Sequence, residues 1–307
     1  MSLLVTGSIG IDKVVTPFGA KENILGGSAL YFSWAAVHFC KVYLVGVVGE
    51  DFPSEFDFVF VHPNIDARGL ERRKGSKTFR WAGRYDQTMN EATTTAVDLN
   101  VLIEKSPVIP AEYAQSRVVF LAATHPDLQM QLLSQVHKPK LVISDTRDLW
   151  IKNHRAELMK SLKKIDGLVL NDFEARLLTE KVNLVSALQQ IRKLLKPGGP
   201  RLVVIKKGEH GCLAAYGNSL FAMPAYPTEK VVDPTGAGDS FAGGLLGYMT
   251  AQKRWSPVIF KQAVAAGTIM ASFTIEDFSL EALRRANRRT IGSRMREFRK
   301  MVAHGLV

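Results

Sequence analysis

Between Val118 and Ile205 apolar and polar positions fall into a regular alternation. Runs of branched apolar residues predict strands at Val118–Ala122, Lys140–Ser144, Gly167–Leu170 and Arg201–Ile205. Between them, segments with apolar residues three or four positions apart predict helices at Leu128–Val136, Trp150–Leu162, Glu174–Thr179 and Val185–Leu195. Strands apolar on every position are covered on both faces, and strands alternating with helices read as βαβ units. The pattern therefore predicts a parallel sheet with helices on both sides. The N-terminal part begins in the same way. Leu3–Ile9 and Val42–Val48 read as strands, separated by an apolar helix that opens after Gly27 and runs to about Phe39. Two apolar helices follow late in the chain, from Asp239 to about Ala251 and from Pro257 to Phe273.

One stretch breaks this rhythm. Thr78–Tyr85 alternates large and small side chains, Thr93–Val97 is rich in β-branched residues, and the residues between, Asp86 to Asn90, are polar. Period-two patterning around a polar turn predicts a hairpin outside the parallel sheet. Arg80 and Arg84 on it could face a ligand or simply water.

Composition narrows the class. The chain of 307 residues is 46% apolar and 22% charged, ordinary for a soluble globular α/β protein. No apolar run approaches the roughly 18 residues of a membrane span. The opening Met1–Gly7 reads directly as a strand, without a basic leader, so no signal peptide is expected and the expected location is the cytoplasm. Cys40 and Cys212 sit in apolar runs and read as buried free thiols; no Cys/His spacing suggests zinc. The net charge of +11 suits phosphorylated ligands. Its excess lies late, from Arg284 to Lys300, at helical positions without interleaved aromatics. That reads as a solvated helical tail, and nucleic acid is not an expected partner.

The chemistry gathers at Val232-Asp233-Pro234-Thr235-Gly236-Ala237-Gly238-Asp239. Gly236 and Gly238 suit a tight turn, and the amides of residues 236–238 would lie at a helix N-terminus, where free N–H groups and the helix dipole attract an anion. A carboxylate, Asp239, follows at once. Beside an anion it makes sense where a hydroxyl must lose a proton while a phosphate receives it. A plain helix cap with an acid in its first turn is the simpler reading of the tetrapeptide alone.

The longer string resembles the signature of the ribokinase-like (PfkB-type) carbohydrate and nucleoside kinases, D-T-x-G-A-G-D, with Pro234 as a variation after the first Asp. Other stretches resemble the family in its order. Asp12 stands where the family's Asp grips substrate hydroxyls, and Gly26-Gly27-Ser28 matches its N-terminal glycine pair. Tyr31 occupies the place where ribokinase carries an Asn, a departure that points away from ribose. Asn171-Asp172-Phe173-Glu174 matches N-x-x-E, and is at the same time a capping box. Lys206-Lys207-Gly208-Glu209-His210-Gly211 resembles the turn T-x-G-x-x-G, with Lys206 replacing the Thr. Asp145-Thr146 ends a predicted strand and could either cap a helix or serve a ligand.

The resemblance implies a ribokinase-like three-layer α/β/α fold with a mostly parallel central sheet and a small β lid, one domain over 1–307, with lid segments at about 12–24 and 76–97. It implies an ATP-dependent transfer of the γ-phosphoryl group to a hydroxyl of a small sugar or sugar-like molecule, with a nucleoside as the alternative acceptor. The implied roles are Asp239 as base, Gly236, Ala237 and Gly238 as anion hole, and Asp12, Gly26, Gly27 and Ser28 as acceptor site. Asn171, Lys206, Gly208, Gly211 and Ala266 would serve ATP, Glu174 magnesium through water, and Asp233 and Thr235 a potassium ion. A homodimer through the lid is a further expectation. Two rivals are weaker. A dinucleotide-binding oxidoreductase needs G-x-G-x-x-G after the first strand, and only Gly7-Ser8-Ile9-Gly10 stands there. A non-catalytic nucleotide sensor would have no need of Asp239.

Overall fold

A computed structural model describes residues 2–302. The strands are β1 (Ser2–Thr6), β2 (Gly10–Thr16), β3 (Gly19–Gly26), β4 (Lys41–Gly49), β5 (Ile65–Arg73), β6 (Phe79–Tyr85), β7 (Ala92–Asp98), β8 (Val118–Leu121), β9 (Leu141–Asp145), β10 (Gly167–Asn171), β11 (Leu202–Lys206), β12 (Cys212–Tyr216) and β13 (Ser219–Met223). The helices are α1 (Ser28–Ala36), α2 (Pro126–Leu133), α3 (Asp148–Asn153), α4 (Arg155–Leu162), α5 (Asp172–Thr179), α6 (Leu184–Leu194), α7 (Ala237–Ala251), α8 (Pro257–Thr274), α9 (Glu281–Arg285) and α10 (Arg288–Val302).

Nine strands form one sheet in the order β13-β12-β11-β10-β9-β8-β1-β4-β5. All neighbours are parallel except the β11–β12 and β12–β13 pairs at one edge. The alternation of side chains sorts the core into two layers. Leu3, Val5 and Phe120 point to the side covered by α1, α7 and α8, where Phe32 and Phe120 stack with centroids 4.4 Å apart. Leu4, Val119 and Leu121 point to the side covered by α4, α5 and α6. The fold is thus the expected three-layer α/β/α, and burial of both faces explains why its inner strands carry almost no polar residues. Among the described residues, no helix is long and apolar enough to cross a membrane.

Four other strands form a separate sheet in the order β3-β2-β6-β7. Its β6–β7 pair is the expected hairpin. Its first segment departs from expectation. The predicted strand Leu3–Ile9 stops at Thr6, and after Gly7 to Ile9 the chain enters β2, so Asp12 lies within a strand of the small sheet rather than past the end of the first strand. The break is held by a clasp: Ser8 N–H donates to Ser28 Oγ at 3.1 Å and Ser28 N–H to Ser8 Oγ at 2.9 Å.

Other boundaries moved for local reasons. The helix expected over Trp150–Leu162 is two helices, broken at His154. Pro126 at the first helical position, after His125 as cap, starts α2 ahead of the expected Leu128. The strands β5, β12 and β13 were not foreseen. The basic tail is not merely solvated: Phe298 and Ile291 are buried, and Arg294 lies 3.8 Å from the Phe273 ring centroid and 2.7 Å from Glu276. Cys212 is buried, Cys40 half-buried, and both are free thiols.

Candidate active site

The carboxyl ends of β8 to β11 share one edge of the sheet, the edge where open α/β sheets take ligands. Three expected residues stand there. Asp145 ends β9, Asn171 ends β10, and Lys206 ends β11, paired directly with Asn171. The small sheet and the N-terminus of α7 face the same region.

Gly236 caps α7 with φ 76° and ψ 0°, a left-handed conformation that glycine adopts without steric cost. A side chain here would also collide with the Tyr31 ring, which lies against the Gly236 backbone. The turn is braced from below. Asp233, fully buried, accepts from Thr235 N–H at 2.9 Å and from Ser279 N–H at 3.4 Å. The three-amide nest expected at 236–238 needs one correction. Ala237 N–H donates to the Pro234 carbonyl at 3.1 Å, which turns it away from a ligand. Gly236 and Gly238 N–H have no such acceptor among the described residues, so the open donors are two.

Asp239 sits in the first turn of α7. Burial pushes its carboxyl above the usual range, opposed by the positive charges of Lys206 and Arg147. Asp145 is pushed up strongly by burial and by the charge of Asp239, and its Oδ1 is buried without a partner among the described residues. Arg147, two residues beyond the end of β9, was missed by sequence reasoning. Its charge reaches Glu174, Asp239 and Asp145, yet it makes no ion pair among the described residues. The only signal available was a strand-end Asp-Thr-Arg that looks like helix capping.

Asp12 is 4% exposed and its Oδ1 has no partner among the described residues. Burial raises its carboxyl to about 8, with Asp233 adding repulsion and Arg147 opposing. Gly26 lacks a side chain where the Asp12 carboxyl lies against its backbone. Gly27 caps α1 at φ 104° and packs against Ser8 and Ile9. The Ser28 hydroxyl is engaged with Ser8 rather than open to a ligand. Tyr31, 1% exposed, ends in a hydroxyl without a partner among the described residues. Asp12 and Tyr31 thus present two buried, unsatisfied polar atoms, which is costly unless something else completes them.

Asn171 and Glu174 form the expected capping box: Asn171 Oδ1 accepts from Glu174 N–H at 2.7 Å and Glu174 Oε2 from Asn171 N–H at 2.9 Å. Burial raises the Glu174 carboxyl, countered by Lys206, the Asn171 N–H and Arg147. Gly208 and Gly211 flank a short turn, with His210 exposed between them. Ala266 calls for a correction. It is fully buried, with its backbone carbonyl against Gly244 of α7 where α8 packs on that helix, so it presents no surface to an adenine. Arg80 pairs with Asp51 at 3.4 Å and Arg84 is exposed, so neither is directed into the site.

Comparison with known proteins identifies the family. The cytidine kinase of Thermococcus kodakarensis is 31% identical over 253 residues, covering 80% of this chain and 87% of that one. Two solved structures share the fold at lower identity. A Burkholderia thailandensis nucleoside kinase with ADP and inosine has a TM-score of 0.77 at 17% identity, covering 98% of this chain and 96% of that one. Arabidopsis thaliana ribokinase with ribose and ATP has a TM-score of 0.76 at 20% identity, covering 95% and 98%. The sequence model of the pfkB family carbohydrate kinases matches residues 22–282, the span that carries the glycine pair, the capping box and the glycine-rich nest with its adjoining acid, and the chain belongs to that family of phosphotransferases with an alcohol acceptor.

Proposed function

We propose that the chain is an ATP-dependent nucleoside kinase that phosphorylates a hydroxyl on the sugar of its acceptor. The observation that carries this reading is Asp239 directly after the unpaired Gly238 amide, with the unsatisfied Asp12 near enough to feel the Asp239 charge. Asp239 takes the proton as the acceptor oxygen bonds to the γ-phosphorus. The bond from that phosphorus to the β,γ-bridging oxygen breaks, and its electron pair leaves with ADP. The Gly236 and Gly238 amides face the charge that spreads over the phosphoryl oxygens. Asp12 accepts from acceptor hydroxyls, completing its buried oxygen. The nucleoside is favoured over a free sugar by the cytidine kinase relative and by Tyr31, a bulky residue at the Asn position of ribokinase.

ATP would lie along the ends of β10 and β11, at Asn171, Lys206 and the turn from Gly208 to Gly211. Magnesium suits these residues as an ion held by phosphates and water. Among the described residues no cluster of three or more carboxylate, His or Cys groups forms a protein cage, and magnesium retains waters readily. Glu174 would orient such a water; the ion would neutralise phosphate charge. Asp233 and Thr235 are the residues that would hold a potassium ion. The catalytic unit comprises the whole chain, with the small sheet as its lid. The exposed outer strands β3 and β7 offer edges through which two lids could pair in a homodimer. Purified protein incubated with ATP and a panel of nucleosides, sugars and polyols, followed by ADP release, tests the function. Turnover with a pyrimidine nucleoside above that with ribose is expected. Turnover confined to free sugars would overturn the nucleoside assignment.

A further inference from the structure

Lys206 is held on both sides by the sheet, opposite Asn171 of β10 and Cys212 of β12. From there its side chain reaches the first turn of α7. A carbon added to the Gly238 Cα would lie 2.5 Å from Lys206 Nζ, so the ammonium rests directly over Gly238. Three carboxylates feel its charge, those of Asp239, Asp145 and Glu174. Yet Lys206 makes no ion pair and no side-chain hydrogen bond among the described residues. A lysine among buried acids ordinarily pairs with one of them, because an unpaired charge away from water is costly. Here three ammonium donors lie over Gly238, whose amide, like that of Gly236, is open, and none of them is taken by a protein acceptor among the described residues. Asp145, nine-tenths buried and within reach of the Lys206 charge, leaves Oδ1 unpartnered among the described residues, so the ammonium does not take even this available acceptor. Donors in this number, next to the base, match a group with several anionic oxygens.

We infer that Lys206 is a catalytic residue whose ammonium contacts the γ-phosphoryl group during transfer, alongside the Gly236 and Gly238 amides. The inference rests on the kinase reading above and gives it a specific geometry. The place Lys206 takes in the glycine-rich turn would, on sequence grounds, assign it to the phosphates of bound ATP in general. Its position over Gly238 moves it to the transferring end, because Asp239 follows that residue and must touch the acceptor oxygen as it attacks the γ-phosphorus. As the acceptor oxygen bonds to phosphorus and the bridging bond to ADP breaks, charge builds on the equatorial oxygens. A fixed cation there stabilises the transition state more than the bound nucleotide. Gly238 has a second reason to lack a side chain: one would displace the ammonium.

The test uses Lys206→Met. Wild-type protein comes first: failure to phosphorylate any acceptor would sink the kinase reading, not this refinement of it. With wild-type turnover in hand, kcat of Lys206→Met should fall by about 10²–10³-fold, the scale for losing one donor to the developing charge. Calorimetry should show ADP affinity unchanged and affinity for the β,γ-imido analogue of ATP reduced. Should Lys206→Met fail to fold, shown by loss of its near-ultraviolet circular dichroism, Lys206→Gln carries the same comparison with a polar tip. An unchanged kcat would overturn the inference. So would equal losses for ADP and the imido analogue, which would place Lys206 on the α- and β-phosphates.

Discussion

The Thr235 hydroxyl donates to Tyr85 Oη at 3.2 Å, linking the braced turn before α7 to a strand of the small sheet 150 positions away. A second contact is close by: a carbon added to Gly208 would lie 3.0 Å from Asn90 Oδ1, at the turn between β6 and β7. The small sheet therefore meets both the nest and the glycine-rich turn. If the small sheet serves as the proposed lid, these contacts would help exclude water that competes for the phosphoryl group. Tyr85→Phe removes one hydrogen bond, worth about 0.5–1.5 kcal/mol net. It should raise acceptor KM several-fold and increase ADP release in the absence of acceptor. If both stay at wild-type levels, the contact plays no part in closure.

Asp239→Asn should leave the fold intact and lower turnover by about 10²–10⁴-fold, the range for loss of a general base. The pH profile adds a second check. Burial raises the Asp239 carboxyl, and the base works only when ionised. The acid limb of kcat/KM should therefore lie above the ordinary carboxylate range. Because Lys206 pulls the carboxyl down, Lys206→Met should move that limb further up. An acid limb that ignores both changes would mean another group accepts the proton.

Much of the fold was legible because burial on both faces leaves its mark on every residue of a strand. The runs in β8 to β11 could hardly be read otherwise. Strand β5 was invisible for the opposite reason. Only Ile65, Gly69 and Arg73 are buried along it, a spacing of four that does not alternate like a strand. The end of β1 was misplaced because Ile9 and Ile11 continue the apolar run, while the break depends on the Ser8–Ser28 clasp with a distant residue. In the site, Asp239 and the glycines were readable from a dense local string. Arg147 was not, since its meaning comes chiefly from Glu174 and Asp239, which stand on helices distant in sequence. Ala266 shows the converse: a stripe of small residues looks alike whether it meets a ligand or another helix.

Asp12 offers a prediction about stability. Its carboxyl rises from 3.8 to about 8, chiefly through burial. A folded-state value raised above the unfolded one contributes stability at low pH that is lost as pH climbs towards the folded value. Asp12→Asn removes that loss. In the absence of acceptor, the variant should match wild type near pH 4 and exceed it increasingly towards pH 8, by on the order of a few kcal/mol. Acceptor binding should weaken at the same time. Thermal unfolding across this range decides it: a constant difference between the two proteins would show that Asp12 does not titrate as its burial implies.

Glu174 has two duties to separate. Its side chain completes the capping box by accepting from the Asn171 N–H. Glutamine also satisfies that position, so Glu174→Gln keeps the cap while removing the charge. The thermal midpoint should change little, whereas the magnesium concentration for half-maximal activity should rise. An unchanged magnesium titration would leave capping as its whole role.

The last prediction concerns a monovalent cation under the nest. Asp233 is fully buried and makes no ion pair among the described residues; its two oxygens each accept from one backbone N–H. Burial raises its carboxyl, against the hydrogen bonds from Thr235 and Ser279. A buried carboxylate with lone pairs to spare and no cationic side chain suits an ion such as potassium, which would neutralise it and fix the Gly236 and Gly238 amides without rearrangement during reaction. The alternative is that the two amides alone brace the loop, with Pro234 stiffening it. At constant ionic strength, activity should be several-fold higher in potassium than in sodium or tetramethylammonium, and Asp233→Asn should remove the preference. Asparagine still accepts the two N–H bonds, so its loss of selectivity would reflect charge rather than collapse of the turn. Equal rates in the three salts would show that the protein's own amides hold the nest in place.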